Sequence, residues 1–251
     1  MKSLSNRCLI THVMFLIACV MVIGHAALPT FGADLVMKNK YIWRGAEFNP
    51  DPVFWPDLWL YWNGITLCGW GSMDLTDVKQ EQMEFTDIAI FADYTRAFGP
   101  VNATLGFAQY TYPGYGGAFP STGELYAKLF GSLKVVQGML SANIDLEEVK
   151  GYYISPSLSK SLSFGPVTPT LTLSAGYADK KHNAYYYGVE KAGLADLTGT
   201  LKLAFTLPGT IGKYLALSAD LNYARILDSE LAPASNGKFY GGIGLNAFVT
   251  P

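Results

Sequence analysis

His182 would have to serve every hydrolytic or acyl-transfer scheme open to this chain. The other two histidines, His12 and His25, fall in an N-terminal stretch that reads as a leader. It stands in Asp179-Lys180-Lys181-His182-Asn183, within a long loop, and no serine lies two positions beyond it. The pattern reads as a solvated loop histidine rather than a general base. One histidine and Cys68, the single cysteine past the leader, do not make a His/Cys metal site. No spaced run of carboxylates resembles a calcium loop. Gly242-Ile243-Gly244-Leu245-Asn246-Ala247 has the spacing of a dinucleotide turn, but no helix can follow it so near the chain's end. These residues point to no catalytic group, no metal and no cofactor. A formal charge of −2 lacks the basic stripe that nucleic acid requires.

What remains is a set of charged and aromatic residues that recur at every second position, and the elements that space them are strands. Val53 to Trp62 runs into Ile65 to Asp74 across Asn63-Gly64, the strongest short hairpin signal, because a primed turn needs positive φ at both central positions. Phe54, Pro56, Leu58, Leu60 and Trp62 form one wholly apolar face, while Val53, Trp55, Asp57, Trp59 and Tyr61 mix rings with a carboxylate. A strand apolar outside and mixed inside is what a membrane-spanning barrel uses. The same period recurs to the end of the chain, for example Leu171, Leu173 and Ala175 against Thr170, Thr172 and Ser174, or Leu217, Ala219 and Leu221 against Ser218, Asp220 and Asn222. In this reading Tyr41-Ile42-Trp43-Arg44-Gly45 closes the first strand, and the strands number about twelve, an even count in the range of outer-membrane barrels.

Connection lengths support closure. Brief turns at Asn63-Gly64, Phe98-Gly99-Pro100, Gly131-Ser132, Phe164-Gly165-Pro166 and 208–212 alternate with longer, more polar loops at 75–83, 112–122, 178–197 and 226–237, and with shorter ones near 46–52 and 147–150. A soluble sandwich has no reason to keep two loop classes in alternation. Only 15% of residues are charged, against about 25% in an average soluble domain. Lys2 and Arg7 precede an apolar run from Cys8 to Ile23, with small residues following; residues 1–32 read as a signal peptide cleaved between about 26 and 33, and 33–251 as the barrel. Cys68 alone remains in that mature chain, so no intramolecular disulfide forms. The fold class expected is all-β, a transmembrane up-and-down antiparallel barrel.

The inward faces collect the candidate lumen-lining residues: Lys40, Arg44, Asp57, Trp59, Trp70, Asp74, Asp87, Asp93, Glu124, Lys128, Asp145, Lys202 and Asp220. Two uses are open to them. Their opposite charges pair and fill the lumen with a hydrogen-bonded network, or they line a narrow, mildly acidic path beside aromatic faces suited to a sugar, nucleoside or aromatic solute. Tyr185-Tyr186-Tyr187 and the ring-rich stretch from Tyr112 to Phe119 either fold inward or grip a partner outside. Tyr41, Trp43, Trp62 and Tyr177 suit an aromatic belt at the lipid interface.

Tyr41-Ile42-Trp43-Arg44-Gly45, Gly69-Trp70-Gly71-Ser72, Glu84 and Tyr110-Thr111-Tyr112-Pro113-Gly114 resemble the Y-x-W-R-G, G-x-W-x-S, acidic and Y-x-Y-P-G markers of the Gcw_chp family. That resemblance implies an exported proteobacterial protein with an outer-membrane barrel, and it assigns no activity and no functional residues. The expected partners are outer-membrane lipid, the barrel-assembly machinery and a small solute. The expected function is a structural or interaction barrel with a largely filled lumen, or alternatively a narrow passive channel for neutral or cationic solutes.

Overall fold

The computed structural model describes residues 28–78, 82–232 and 236–250. The expected leader lies outside them as far as residue 27. Fourteen strands follow in chain order: β1 (Thr30–Lys38), β2 (Tyr41–Trp43), β3 (Ala46–Asn49), β4 (Val53–Trp62), β5 (Ile65–Asp74), β6 (Phe85–Phe98), β7 (Val101–Thr111), β8 (Thr122–Leu133), β9 (Val136–Asp145), β10 (Tyr152–Ser161), β11 (Val167–Ala178), β12 (Gly193–Thr206), β13 (Leu215–Ile226) and β14 (Lys238–Val249). One short helix, α1 (Lys180–Tyr187), sits between β11 and β12. All strands but β2 and β3 close into a twelve-strand antiparallel barrel, with β1 bonded to β4 on one side and β14 on the other. Cleavage near Ala26 leaves β1 whole, whereas cleavage after Gly32 would remove its first residues.

Period-2 alternation becomes an inside and an outside through the register. Asp57 lies opposite Trp70, Trp70 opposite Ala89 and Ala89 opposite Tyr110, so these side chains share the inner row. Thr200 is inward opposite Thr172 and Asn222, and Leu203 outward opposite Pro169 and Ala219. The outer face carries large apolar side chains in the open: Leu58 is 69% exposed, Ile90 64% and Ile243 65%. Covering each with hydrocarbon is worth about 1.5–3 kcal/mol, which water would not supply. Rings girdle this band, with Trp62, Tyr94 and Phe98 toward the short-turn end and Tyr152, Tyr177, Tyr223 and Phe239 toward the long-loop end. Among the described residues no helix is long and apolar enough to cross a membrane.

The turns follow from residue type. Asn63 and Gly64 have φ of 49° and 87°, the pair that a primed turn demands. The short turns and both ends of the barrel chain lie at one rim, the longer loops at the other.

One expectation is corrected. Tyr41 to Gly45 does not close the first barrel strand, which ends at Lys38. Instead β2 and β3 form a separate two-stranded hairpin turning at Arg44-Gly45, with φ of 49° and 80°. A Cβ at Gly45 would lie 2.7 Å from the Asp196 side chain of β12, so the hairpin tip reaches the inner wall. The alternation was real but belonged to a loop turned into the lumen.

Candidate functional site

The inturned hairpin is held by its tip. Arg44 donates to both carboxylate oxygens of Glu124 on β8, at 2.8 Å each, with the side chains only 10% and 4% exposed. Its guanidinium lies over Trp43 at 3.9 Å and over Tyr153 of β10 at 4.7 Å. A planar, forked cation suits this slot, since it satisfies a carboxylate edge-on while its faces meet rings. Burial opposes the charge and Glu124 sustains it; the net effect raises the Arg44 pKa. At the other end of the hairpin, Tyr41 packs against Trp55 and Trp70, ring centroids 5.2 and 6.1 Å away. Tyr41 and Trp43 therefore belong to the lumen and not to a lipid belt.

Helix α1 closes over the tip. Asp179 caps it by accepting from the His182 backbone N–H at 2.9 Å, and Gly188 ends it at φ 72°. His182 is buried rather than solvated, stacked on Tyr153 at 5.4 Å with Tyr186 at 4.6 Å. Burial, and then the charge of Arg44, hold its imidazole down at about 4, so it is neutral at pH 7. Tyr187 donates its hydroxyl to the Arg44 carbonyl at 2.8 Å. The tyrosine triplet thus folds partly inward. Its N-cap and terminal glycine were legible in Asp179 and Gly188 and mark a helix where a loop was expected.

Burial maps this plug. Ser72, Asp74, Thr86, Asp87, Thr122, Glu124, Asp145, Tyr153 and Asp196, all toward the loop rim, are buried. Toward the short-turn rim, Ser157, Ser159, Thr170, Thr172 and Thr200 keep part of their surface accessible, and Lys202 is exposed.

The candidate lumen residues sort as follows. Arg44 pairs with Glu124 as described. Lys40 lies beyond β1 beside the hairpin, 3.6 Å from Glu47; neither basic residue stands on a barrel strand. Asp220 is bound to Lys38 at 2.6 Å, and Asn222 donates to the same carboxylate. Asp93 accepts from the Tyr126 hydroxyl at 2.7 Å, and Gly106 leaves room for that ring, since a Cβ there would sit 2.4 Å from it. Asp57 faces Asp34 across the β1–β4 pair, and Trp59 donates to Asp34 at 3.3 Å. Trp70 packs on Trp55 and Tyr41. Asp74 accepts from Thr86 at 3.2 Å, and Asp87 is buried beneath the aromatic loops. Asp145 is a loop clamp, accepting from the Thr122 hydroxyl at 2.6 Å and from the backbone of Glu147, Val149 and Lys150. Lys128 lies over the Tyr126 ring at 4.9 Å. Among the described residues neither Lys128 nor Lys202 has a carboxylate within ion-pair reach. Neutral donors, more than opposite charges, satisfy the acids.

Sequence reasoning missed Asp34, Lys38 and Asp196, the last accepting from the Tyr153 hydroxyl at 2.8 Å. Asp34 and Lys38 extend the alternation of β1 upstream and were legible there; Asp196 is masked by a bulge near Ala175 and Tyr177. No group of residues among those described is arranged to hold a metal.

A closed twelve-strand barrel with an apolar outer band, ring girdles and an inturned loop has the fold of outer-membrane porins. Two solved structures illustrate the likeness. The KdgM porin in complex with disordered oligogalacturonate is 12% identical, covering 87% of this chain and 98% of that one at a TM-score of 0.51. The NanC porin is 11% identical, covering 86% and 98% at 0.54. At such identity the likeness is one of fold. No family model matches the sequence, and no curated protein does.

Proposed function

We propose that the chain is exported to the outer membrane of a Gram-negative bacterium, inserted by the barrel-assembly machinery with its long loops outside. There it stands as a barrel whose lumen its own first loop plugs. In this reading it is a structural or interaction protein that conducts little at rest and meets partners through the loop rim. The Gcw_chp resemblance fits that reading, because the plug is made from the Y-x-W-R-G residues. The observation that carries it is the Arg44–Glu124 pair in its aromatic slot, since a buried, bidentate pair holds an inturned loop in one place.

A second reading, a narrow channel for neutral or cationic solutes, is favoured by the accessible serines and threonines of the short-turn half. The oligogalacturonate of the KdgM complex is a polyanion. The carboxylates of Asp34, Asp57 and Asp93, which have no ion-pair partner among the described residues, outnumber the likewise unpaired Lys128 and Lys202 and bias this lumen against such a chain. Liposome swelling tests the choice. Proteoliposomes of the unmodified protein should swell little in small neutral sugars, whereas rapid swelling would overturn the plugged resting state. Purified protein should need detergent and run faster on gels unheated than boiled; monodispersity in plain buffer would remove the membrane assignment.

A further inference from the structure

Above the plug lies a pocket of about 270 Å³, walled by Phe48, Tyr112, Tyr115, Phe119 and Tyr186, with Asp87 at its floor. The rings brace one another: Tyr115 meets Phe119 edge-on at 4.8 Å, Tyr112 meets it at 6.3 Å, and Phe48 meets Tyr186 at 6.2 Å. Glu47 also borders the pocket, but Lys238 at 3.0 Å and Lys40 already neutralise it. Asp87 differs. It is only 3% exposed; among the described residues its carboxylate has one hydrogen-bond contact, a long 3.4 Å approach from the Thr86 hydroxyl, which lies closer to Asp74 at 3.2 Å, and no basic side chain reaches it. Burial pushes the Tyr115 hydroxyl up to about 12, and the nearby Asp87 and Asp74 add to the shift.

We propose that this pocket binds a small organic cation of the quaternary or alkyl-ammonium class. Ring faces present the negative lobe of their quadrupoles, and a buried carboxylate without a counter-charge lies below them. A neutral sugar could use the tyrosine hydroxyls but would leave the buried Asp87 carboxylate without a counter-charge. A metal ion would need several oxygen ligands, and none are grouped here among the described residues. A soft monovalent cation with alkyl groups fits both the charge and the rings, and its binding does not depend on whether the lumen conducts.

The test is a titration of the full-length mature protein in maltoside micelles, whose head groups carry no ammonium, with tetramethylammonium chloride read by broadening of its methyl proton signal. Saturable binding is expected, weakened about tenfold or more by Asp87→Asn and by Phe119→Leu. Neopentyl alcohol, an uncharged analogue of similar size, should not saturate. Phe119 lies on an exposed loop, so its variant keeps the test open if Asp87→Asn fails to give the heat-shifted gel band. Absence of saturable binding, equal binding of the alcohol, or unchanged affinity in folded variants would overturn the proposal and leave the plugged-barrel reading standing.

Discussion

Replacing Arg44 with alanine should release the plug without unfolding the barrel. The substitution removes two 2.8 Å charge-assisted hydrogen bonds and leaves Glu124 with a side chain 4% exposed and no cation beside it. Breaking one partner of such a buried pair costs about 3–5 kcal/mol. Alanine keeps the left-handed backbone at position 44, φ 49°, so no strain is relieved to offset the loss. Water entering from the lumen reclaims part of it, and a net change near 3 kcal/mol raises the undocked population roughly a hundredfold. Hydrogen exchange in detergent reads this directly. Amides of Tyr41–Asn49 should lose protection, while those of β8 and β12 serve as internal controls. Glu124→Gln should act similarly by stranding the arginine, and the double variant should fall short of the sum because both changes break one interaction. Unchanged exchange over the hairpin, or equal loss throughout the barrel wall, would refute the latch.

Three further outcomes follow from the same geometry. Leu203→Arg should impair assembly, by about 2–4 kcal/mol if its site lies near the midplane, and Thr200→Arg far less; equal tolerance in a refolding assay would mean the faces are exchanged. His182 is held neutral, its pKa lowered to about 4 by burial and by Arg44 against the smaller pull of Asp179 and Asp145, with Tyr153 and Tyr186 packed on it. Because an exposed histidine takes its proton near 6.5, docking of α1 is fully stable above that pH and loses strength as pH falls toward 4, by up to about 3 kcal/mol; proteolysis of residues 180–187 should quicken over that window, and His182→Phe should abolish the dependence. Cys68 lies on the inner row opposite Trp59 and Phe91, near Asp34, Asp57 and Asp93. A cationic thiosulfonate should label it several-fold faster than an anionic one, and the reverse order would contradict the acidic lumen.

Much of the barrel was legible because each wall strand buries one face in lipid, and that requirement writes itself at every second residue. The run from Phe54 to Trp62 could take only one orientation. Tyr41 to Trp43 alternates equally well, yet it is shielded from lipid; alternation reports an extended backbone and says nothing of which sheet receives it. Arg44-Gly45 flanked by Trp43 and Ala46 carried the turn signal that separates a hairpin from a strand. The start of β1 was obscured because Thr30-Phe31-Gly32 also suits a cleavage site. Glu124, the partner of Arg44, is 80 residues away in the chain, and no local pattern joins them. His182 looked solvated because its lysine neighbours are polar, whereas the capped helix turns the imidazole inward.

The most direct test of a self-plugged barrel is single-channel recording in planar bilayers on the purified protein, alone and with residues 41–49 replaced by a flexible glycine–serine linker. The unmodified protein should give small or intermittent, cation-selective steps. Arg44→Ala should enlarge them, Lys202→Ala should sharpen cation preference without opening the plug, and the linker variant should conduct steadily. Large, steady, anion-selective steps from the unmodified protein would contradict both the plug and the sign of the lumen.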